Sequence, residues 1–207
     1  MTTAIVTGAP GWLGTRLVQS LVKGVVDVPT LGPDGRRIRC LVLPGADVSE
    51  LEALGSQIEI VRGDVTDPAS LDALFGDAGK GATVFHAAGV IHPLRGVKHL
   101  HEVNVAGTGN VVEAAKKAGA RRFVHVSSNS PLGTNPSDED VFDESAPYNP
   151  YMEYGRSKML GEEIVTRAHA AGDLETVIIR PPWFYGPGQP ARQTLFFEMV
   201  RDRKSVV

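Results

Sequence analysis

The sequence predicts an α/β fold built as a doubly wound parallel sheet, and three observations lead there. Six short apolar runs alternate with longer segments of helical period, as in repeated βα units. The first run passes directly into a glycine-rich turn that opens a helix. A chain of 207 residues with 42% hydrophobic and 22% charged residues has the make-up of one globular domain with a sizeable core.

The expected strands lie at 4–7, 38–43, 58–62, 83–87, 123–127 and 176–179. Between the first two, Leu13, Leu17, Val18, Leu21 and Val22 recur at the spacing of one buried helix face, which marks the first crossover helix. Asp47 followed by Glu50 is a capping-box pattern and predicts a short helix through Leu51 and Leu54. Asp67-Pro68 supplies a cap and a first-turn proline ahead of Leu71 and Leu74. Two long helices are expected, 100–118 ending at Gly119 and 151–171 ending at Gly172, each stopped by a residue that tolerates a left-handed backbone. The stretch 25–37, with its Gly32-Pro33-Asp34-Gly35 turn, reads as a surface excursion, and 130–150 as a long loop.

The formal net charge is −3, with basic and acidic residues interspersed, so nucleic acid and anionic membrane are not expected partners. Cys40 is the single cysteine and cannot form an internal disulfide. No apolar run approaches the length of a bilayer span, and the N-terminus lacks the pattern of a signal peptide. The setting expected from these features is reducing and cytoplasmic. The histidines are not spaced as metal ligands, so no metal site is expected at His86, His92, His99, His101, His125 or His169.

Two motifs carry chemistry. In Thr7-Gly8-Ala9-Pro10-Gly11-Trp12-Leu13-Gly14, glycines let the backbone turn tightly and approach a pyrophosphate, whose charge a helix N-terminus favours. Glycines also serve plain turn geometry, so this set alone decides nothing. In Tyr154-Gly155-Arg156-Ser157-Lys158 the tyrosine and lysine are four apart and share a helix face. A phenol with a pKa near 10 needs roughly 4 kcal/mol of preferential phenolate stabilisation to titrate near 7, and a nearby ammonium is a source of it. Such a pair can act as general base or acid at an alcohol or ketone.

Taken in order, the glycine turn, Gly63-Asp64-Val65-Thr66-Asp67, His86-Ala87-Ala88-Gly89, Val126-Ser127-Ser128, the Tyr154/Lys158 pair and the run Arg180-Pro181-Pro182-Trp183-Phe184-Tyr185-Gly186-Pro187-Gly188 resemble the short-chain dehydrogenase/reductase superfamily. The likeness is to its extended branch, which includes sugar-nucleotide epimerases and dehydratases and 3β-hydroxysteroid dehydrogenase-like enzymes. It implies a Rossmann fold that binds NAD or NADP. It further implies that Gly8, Gly11, Trp12, Leu13 and Gly14 hold the pyrophosphate, that Asp64 and Val65 meet the adenine, and that Ala87, Ala88 and Gly89 lie under the cofactor, with Pro181 also against it. By the same likeness Tyr154 moves the proton, Lys158 tunes it and binds the nicotinamide ribose, Ser128 or Ser127 polarises the substrate oxygen, and Asn104 supports the lysine through its backbone and water. Leu132-Gly133 stands where relatives carry a Tyr-Gly pair, which leaves both serines in play.

The second strand ends Leu41-Val42-Leu43-Pro44 and offers neither an acid nor an arginine to read the ribose, with Asp47 a few residues late. NAD is slightly preferred. The expected activity is hydride exchange with a secondary alcohol or ketone, either as the net reaction or inside an epimerisation or dehydration. The substrate is then a small molecule, whether a sugar nucleotide, a steroid-like compound or another alcohol or ketone. The alternatives are a non-catalytic dinucleotide-binding regulator and an inactive fragment of the enzyme. The likeness also implies a homodimer through 100–118 and 151–171. Extended relatives continue well past the Gly186-Pro187-Gly188 run, so 1–201 is expected to be a cofactor-binding domain incomplete at its C-terminal end, with most of the substrate-binding lobe absent. Residues 202–207 can be encoded by a common sequencing adapter and are expected to be a non-native tail on a gene that is naturally longer.

Overall fold

β-Branched and aliphatic runs pair side by side in a computed structural model that describes residues 3–91, 96–135, 137, 139 and 141–203, with the backbone alone at 192 and 193. The strands are β1 Thr3–Thr7, β2 Arg37–Val42, β3 Ile58–Arg62, β4 Thr83–His86, β5 Arg122–Val126 and β6 Glu175–Ile179. They form one six-stranded sheet in the order β3-β2-β1-β4-β5-β6, and every pairing is parallel. The order reverses between β1 and β4, the point at which α/β sheets of this kind open a crevice beyond the strand ends. The doubly wound Rossmann expectation therefore holds. Four strands begin one residue earlier than expected and three end one residue earlier.

Alternation along β1 divides the core into two layers. Ala4 and Val6 face a cluster with Val18, Ile38, Cys40 and Leu51, under α1 (Trp12–Lys23) and α2 (Ser49–Glu52). Ile5 faces the other way, into a cluster with Leu71, Leu74, Val111, Phe123 and Val165, under α3 (Pro68–Phe75), α5 (Thr108–Lys117) and α6 (Met152–Ala170). Successive side chains of a strand point to opposite faces, so one run of three apolar residues anchors both layers.

Asp67 caps α3 as expected, its carboxylate accepting from the Ala69 N–H at 3.1 Å. The capping box at Asp47 does not form. Asp47 accepts from the Ser49 N–H at 2.9 Å, Val48 occupies the cap, and the helix stops at Glu52, short of Leu54. The long helix expected at 100–118 begins earlier, as α4 (Gly96–His101), passes through a π-helical stretch at Glu102–Gly107 and continues as α5. Its stop is Gly119 at φ +70°, and α6 is followed in the same way by Gly172 at φ +74°. The excursion after α1 holds one 3-10 turn, Pro29–Leu31, and the 130–150 loop opens with another, Ser130–Leu132. A last helix, α7, spans Ala191–Arg201. Of the expected tail, 204–207 lies outside the described residues, as does His92. Among the described residues no helix is long and apolar enough to cross a membrane.

Candidate functional site

The turn from β1 into α1 packs backbone against backbone. Gly8 has φ +88°, and a Cβ there would stand 2.5 Å from the Ala87 carbonyl carbon and the Ala88 nitrogen. A Cβ on Gly11 would come within 2.7 Å of the Gly8 carbonyl oxygen, and one on Gly14 would overlap the same atom. Gly11 caps α1 without a side-chain bond, and no acid sits in the first turn, so the helix start is suited to an anion. Trp12 stacks on Phe184 with centroids 5.1 Å apart and donates from Nε1 to the Pro187 carbonyl at 2.9 Å, which pins the run after β6 across the start of α1.

A cleft of about 660 Å³ opens beside this turn, lined by Gly8, Gly11, Trp12, Leu13 and Gly14 from the turn, Ala87 and Gly89 after β4, Ser127 and Ser128 after β5, Tyr154 and Lys158 on α6, and Pro181 after β6. Three residues expected at the cofactor do not line it. Ala88 packs against the core, its N–H donating to Thr7 Oγ1 at 3.4 Å. Asp64 accepts from the N–H and hydroxyl of Thr66 at 2.8 and 2.9 Å. Val65 is buried, its carbonyl taking the Asn110 amide at 3.0 Å.

Lys158 is buried and donates from Nζ to the Val126 carbonyl at 2.8 Å. Desolvation pulls its pKa down to about 8, against the opposing pull of the Glu162 charge. Tyr154 is half-buried one helical turn earlier. Gly155 lets α6 approach the Ser130 carbonyl, which a Cβ would meet at 2.6 Å. Asn104 lies in the π-helical stretch. It bonds both peptide groups of Val90 at 2.8 Å and donates to Ser157 Oγ at 3.0 Å, and Ser157 donates to the Tyr154 carbonyl at 2.8 Å. The two serines differ: Ser127 Oγ donates to the Glu162 carboxylate, whereas Ser128 Oγ lies 3.0 Å from Ser130 Oγ and accepts from the Ser130 N–H at 3.2 Å.

Residues 4–205 match the NAD dependent epimerase/dehydratase family. The chain belongs to that family. It is 48% identical over 201 residues to an uncharacterized protein of Sinorhizobium fredii, covering 97% of this chain and 55% of that one. It is 35% identical over 192 residues to a ceramide reductase of Caulobacter vibrioides, covering 92% and 49%. Among solved structures it resembles a dTDP-glucose 4,6-dehydratase of Streptomyces venezuelae, crystallised with NAD and TYD bound, at 26% identity and TM-score 0.81, covering 98% of this chain and 63% of that one. The chain thus spans about half the length of the curated relatives it matches.

This member of the epimerase/dehydratase family holds a buried acid near the cleft that sequence reasoning missed. Glu162, fully buried, takes hydrogen bonds from Ser127, from the Tyr148 hydroxyl at 2.8 Å and from Arg180 Nη2 at 2.7 Å. The available signal was its position, one turn past Lys158 on a helix face that otherwise buries small and apolar residues. His86 bonds Thr7 Oγ1 at 2.7 Å and Thr108 Oγ1 at 3.0 Å, while His125 stacks on it at 5.4 Å with neither ring nitrogen bonded among the described residues. Burial, with Lys158 nearby, pushes the His86 pKa down to about 3 and that of His125 well below the ordinary range. Cys40, buried in β2, is a core thiol raised to about 12 by desolvation. Arg39 turns to Glu59, Asp77 and the Leu74 carbonyl.

Proposed function

We propose that residues 1–201 form the cofactor-binding domain of an NAD(P)-dependent oxidoreductase acting on a secondary alcohol or ketone. One observation carries this reading: Tyr154, Lys158 and Ser128 line the same cleft as the close-packed glycine turn. The fit to a dinucleotide rests on that turn, where a Cβ at Gly8, Gly11 or Gly14 would meet backbone, and on the uncapped start of α1. When bound there, the nicotinamide supplies the hydride acceptor or donor. Gly8, Gly11, Trp12, Leu13 and Gly14 hold the pyrophosphate, while Ala87, Gly89 and Pro181 border the cofactor. Asp64 and Val65 are assigned to the adenine and Ala88 to the packing beneath the cofactor on the family likeness, since none of the three lines the cleft.

Tyr154 takes the hydroxyl proton in oxidation and returns it in reduction. Lys158, held at the Val126 carbonyl, stabilises the phenolate and is available to ribose hydroxyls. Ser128 orients the substrate oxygen, because the Ser127 hydroxyl is already committed to Glu162. Beyond Trp12, a second cavity of about 590 Å³ carries Asp47 and Glu50. Arg16 lines the same cavity, so carboxylates suited to free ribose hydroxyls stand beside a guanidinium suited to a 2′-phosphate, and the cavity accommodates NAD or NADP.

The cleft wall formed by Ile91, Pro181, Pro182, Trp183 and Phe184 is apolar. That wall supports an apolar alcohol or ketone, the chemistry named for the ceramide reductase relative, over a sugar nucleotide. The test follows NAD⁺ reduction by absorbance over a panel of sterol, sphingoid and UDP-hexose alcohols, with Tyr154→Phe beside the parent. The expected result is turnover of the apolar alcohols and a loss of about 100-fold or more in the variant. Equal turnover in the two proteins refutes the base assignment. Self-association through α4–α5 and α6 is also proposed. It rests on the family likeness of these two long helices, and sedimentation that finds only monomer at high concentration removes it.

A further inference from the structure

Lys158 rests on the last residue of β5, and the next residue along the chain is tied to a buried acid. Glu162 lies one turn beyond Lys158 on α6, and three other segments converge on it. Ser127 reaches it from the end of β5, Arg180 from the end of β6 through Nε at 3.0 Å and Nη2 at 2.7 Å, and Tyr148 from the loop before α6 at 2.8 Å. The Ser127 N–H also donates to the Ile179 carbonyl at 2.8 Å and the Asn129 N–H to the Pro181 carbonyl at 3.2 Å, so the segment carrying the lysine's seat is fixed on both sides. A carboxylate buried this deeply is costly unless its oxygens are paired and bonded, and replacing such a cluster by apolar side chains often leaves stability unchanged. Stability alone therefore gives little account of it.

We propose that Glu162 is a positioning residue of this site: its carboxylate clamps the strand end on which the Lys158 ammonium rests and sets the charge around that ammonium. The proposal rests on the oxidoreductase reading for its consequence in turnover, while its physical core does not. The groups around Lys158 are Tyr154 and Glu162 on α6, His86 from β4 and His125 from β5, with Arg180 and Tyr148 closing the cluster around the acid. Both imidazoles are held neutral at and above pH 6.5 by burial, so the acid is the anion that acts on the lysine.

The experiment labels lysine side chains with ¹³C and follows the Lys158 resonance by NMR against pH in the cofactor-free protein, assigned through Lys158→Arg. Glu162→Gln is expected to lower the Lys158 midpoint by about one pH unit. Arg180→Gln, which leaves the acid unneutralised, is expected to raise it, and it serves also if Glu162→Gln does not fold. Loosened packing alone cannot give shifts of opposite sign. With NAD⁺ and an alcohol, Glu162→Gln is then expected to move the alkaline or acid limb of the kcat profile with the midpoint while changing KM less than threefold. A Lys158 midpoint that stays in place in whichever variants fold overturns the proposal and leaves Glu162 a cross-link. Because the titration needs neither cofactor nor turnover, a chain that proves inactive counts against the oxidoreductase reading and not against this one.

Discussion

The Lys158 ammonium donates to the Val126 carbonyl at 2.8 Å in a place where only 4% of the residue reaches solvent. Its pKa, lowered from 10.5 to about 8 chiefly by desolvation, means that the folded protein releases this proton more readily than the unfolded chain does. Between pH 8 and 10.5 the unfolded state binds more protons, so this group's contribution to stability rises with pH. Below pH 8 the buried cation costs about 3 kcal/mol relative to a neutral side chain. Lys158→Met is therefore expected to be more stable than the parent at pH 7, with the difference shrinking as pH rises from 8 to 10.5. Paired urea melts at pH 7, 9 and 10.5 check this, and a gap that widens with pH contradicts it.

The stacked His86 and His125 set the acid limit. Both are bases whose folded pKa lies far below the unfolded value, so their contribution is intact above pH 6.5 and is lost as pH falls below it, for His86 down to about 3. Each imidazole contributes a slope of about 1.4 kcal/mol per pH unit in that window. Unfolding is thus expected to become easier below pH 6.5, before ordinary carboxylates titrate. His125→Leu is expected to halve the slope and to lose little at pH 7, because it removes two buried nitrogens that have no hydrogen-bond partner among the described residues. Denaturant melts of both proteins at pH 7, 6 and 5 give the comparison, and parallel slopes refute the assignment.

Gly14 separates space from backbone conformation. Its φ is ordinary, yet a Cβ would overlap the Gly8 carbonyl oxygen. Gly14→Ala must move the turn and is expected to lower stability by about 1–3 kcal/mol, the usual range for overpacking. NADH affinity, read by nicotinamide fluorescence, is expected to fall at least tenfold. The control is Gly35→Ala, where φ is +67° but nothing lies within 4 Å of the added atom. It is expected to cost stability through backbone strain and to leave NADH affinity as it was, since the loop lies away from the cleft.

Much of this was legible because period and small-residue spacing are written locally. Ala4-Ile5-Val6 announces a strand buried on both faces, and Gly8, Gly11 and Gly14 announce a turn with no room for side chains. What the sequence could not order is contact between distant segments. Ser127 and Ser128 are chemically identical neighbours, and only the presence of Glu162, 35 positions away from Ser127, commits one of them. Arg39 lies in a strand where a charge is unexpected, and its partners Glu59 and Asp77 come from β3 and from the turn after α3. The capping box at Asp47 failed for a nearer reason: the acid sits two residues before the helix and satisfies the Ser49 N–H from outside it. The π-helical stretch leaves no local signature, since its wider turn shifts the face by a single residue.

Asn104 shows what that wider turn does. The side chain is 1% exposed, accepts from the Val90 N–H, and donates to the Val90 carbonyl and to Ser157 Oγ. Val90 follows Gly89 on the cleft wall, and a Cβ on Gly89 would come within 3.3 Å of Asn104 Oδ1, so one amide sets both the position and the closeness of that wall. Asn104→Ala leaves the part-buried Val90 N–H and carbonyl without their partner, at about 1–3 kcal/mol each if neither finds water, while Ser157 Oγ keeps its bond to the Tyr154 carbonyl. A total loss of about 3 kcal/mol is expected, with the thermal midpoint falling accordingly. Asn104→Asp keeps the acceptor toward the Val90 N–H but cannot donate to the Val90 carbonyl, so it is expected to lose nearly as much at pH 7. It is expected to recover part of that loss at pH 4, where a protonated acid can donate once. Melting curves of the three proteins at both pH values decide the point, and an Asp variant as stable as the parent at pH 7 shows that the amide is not what holds the wall.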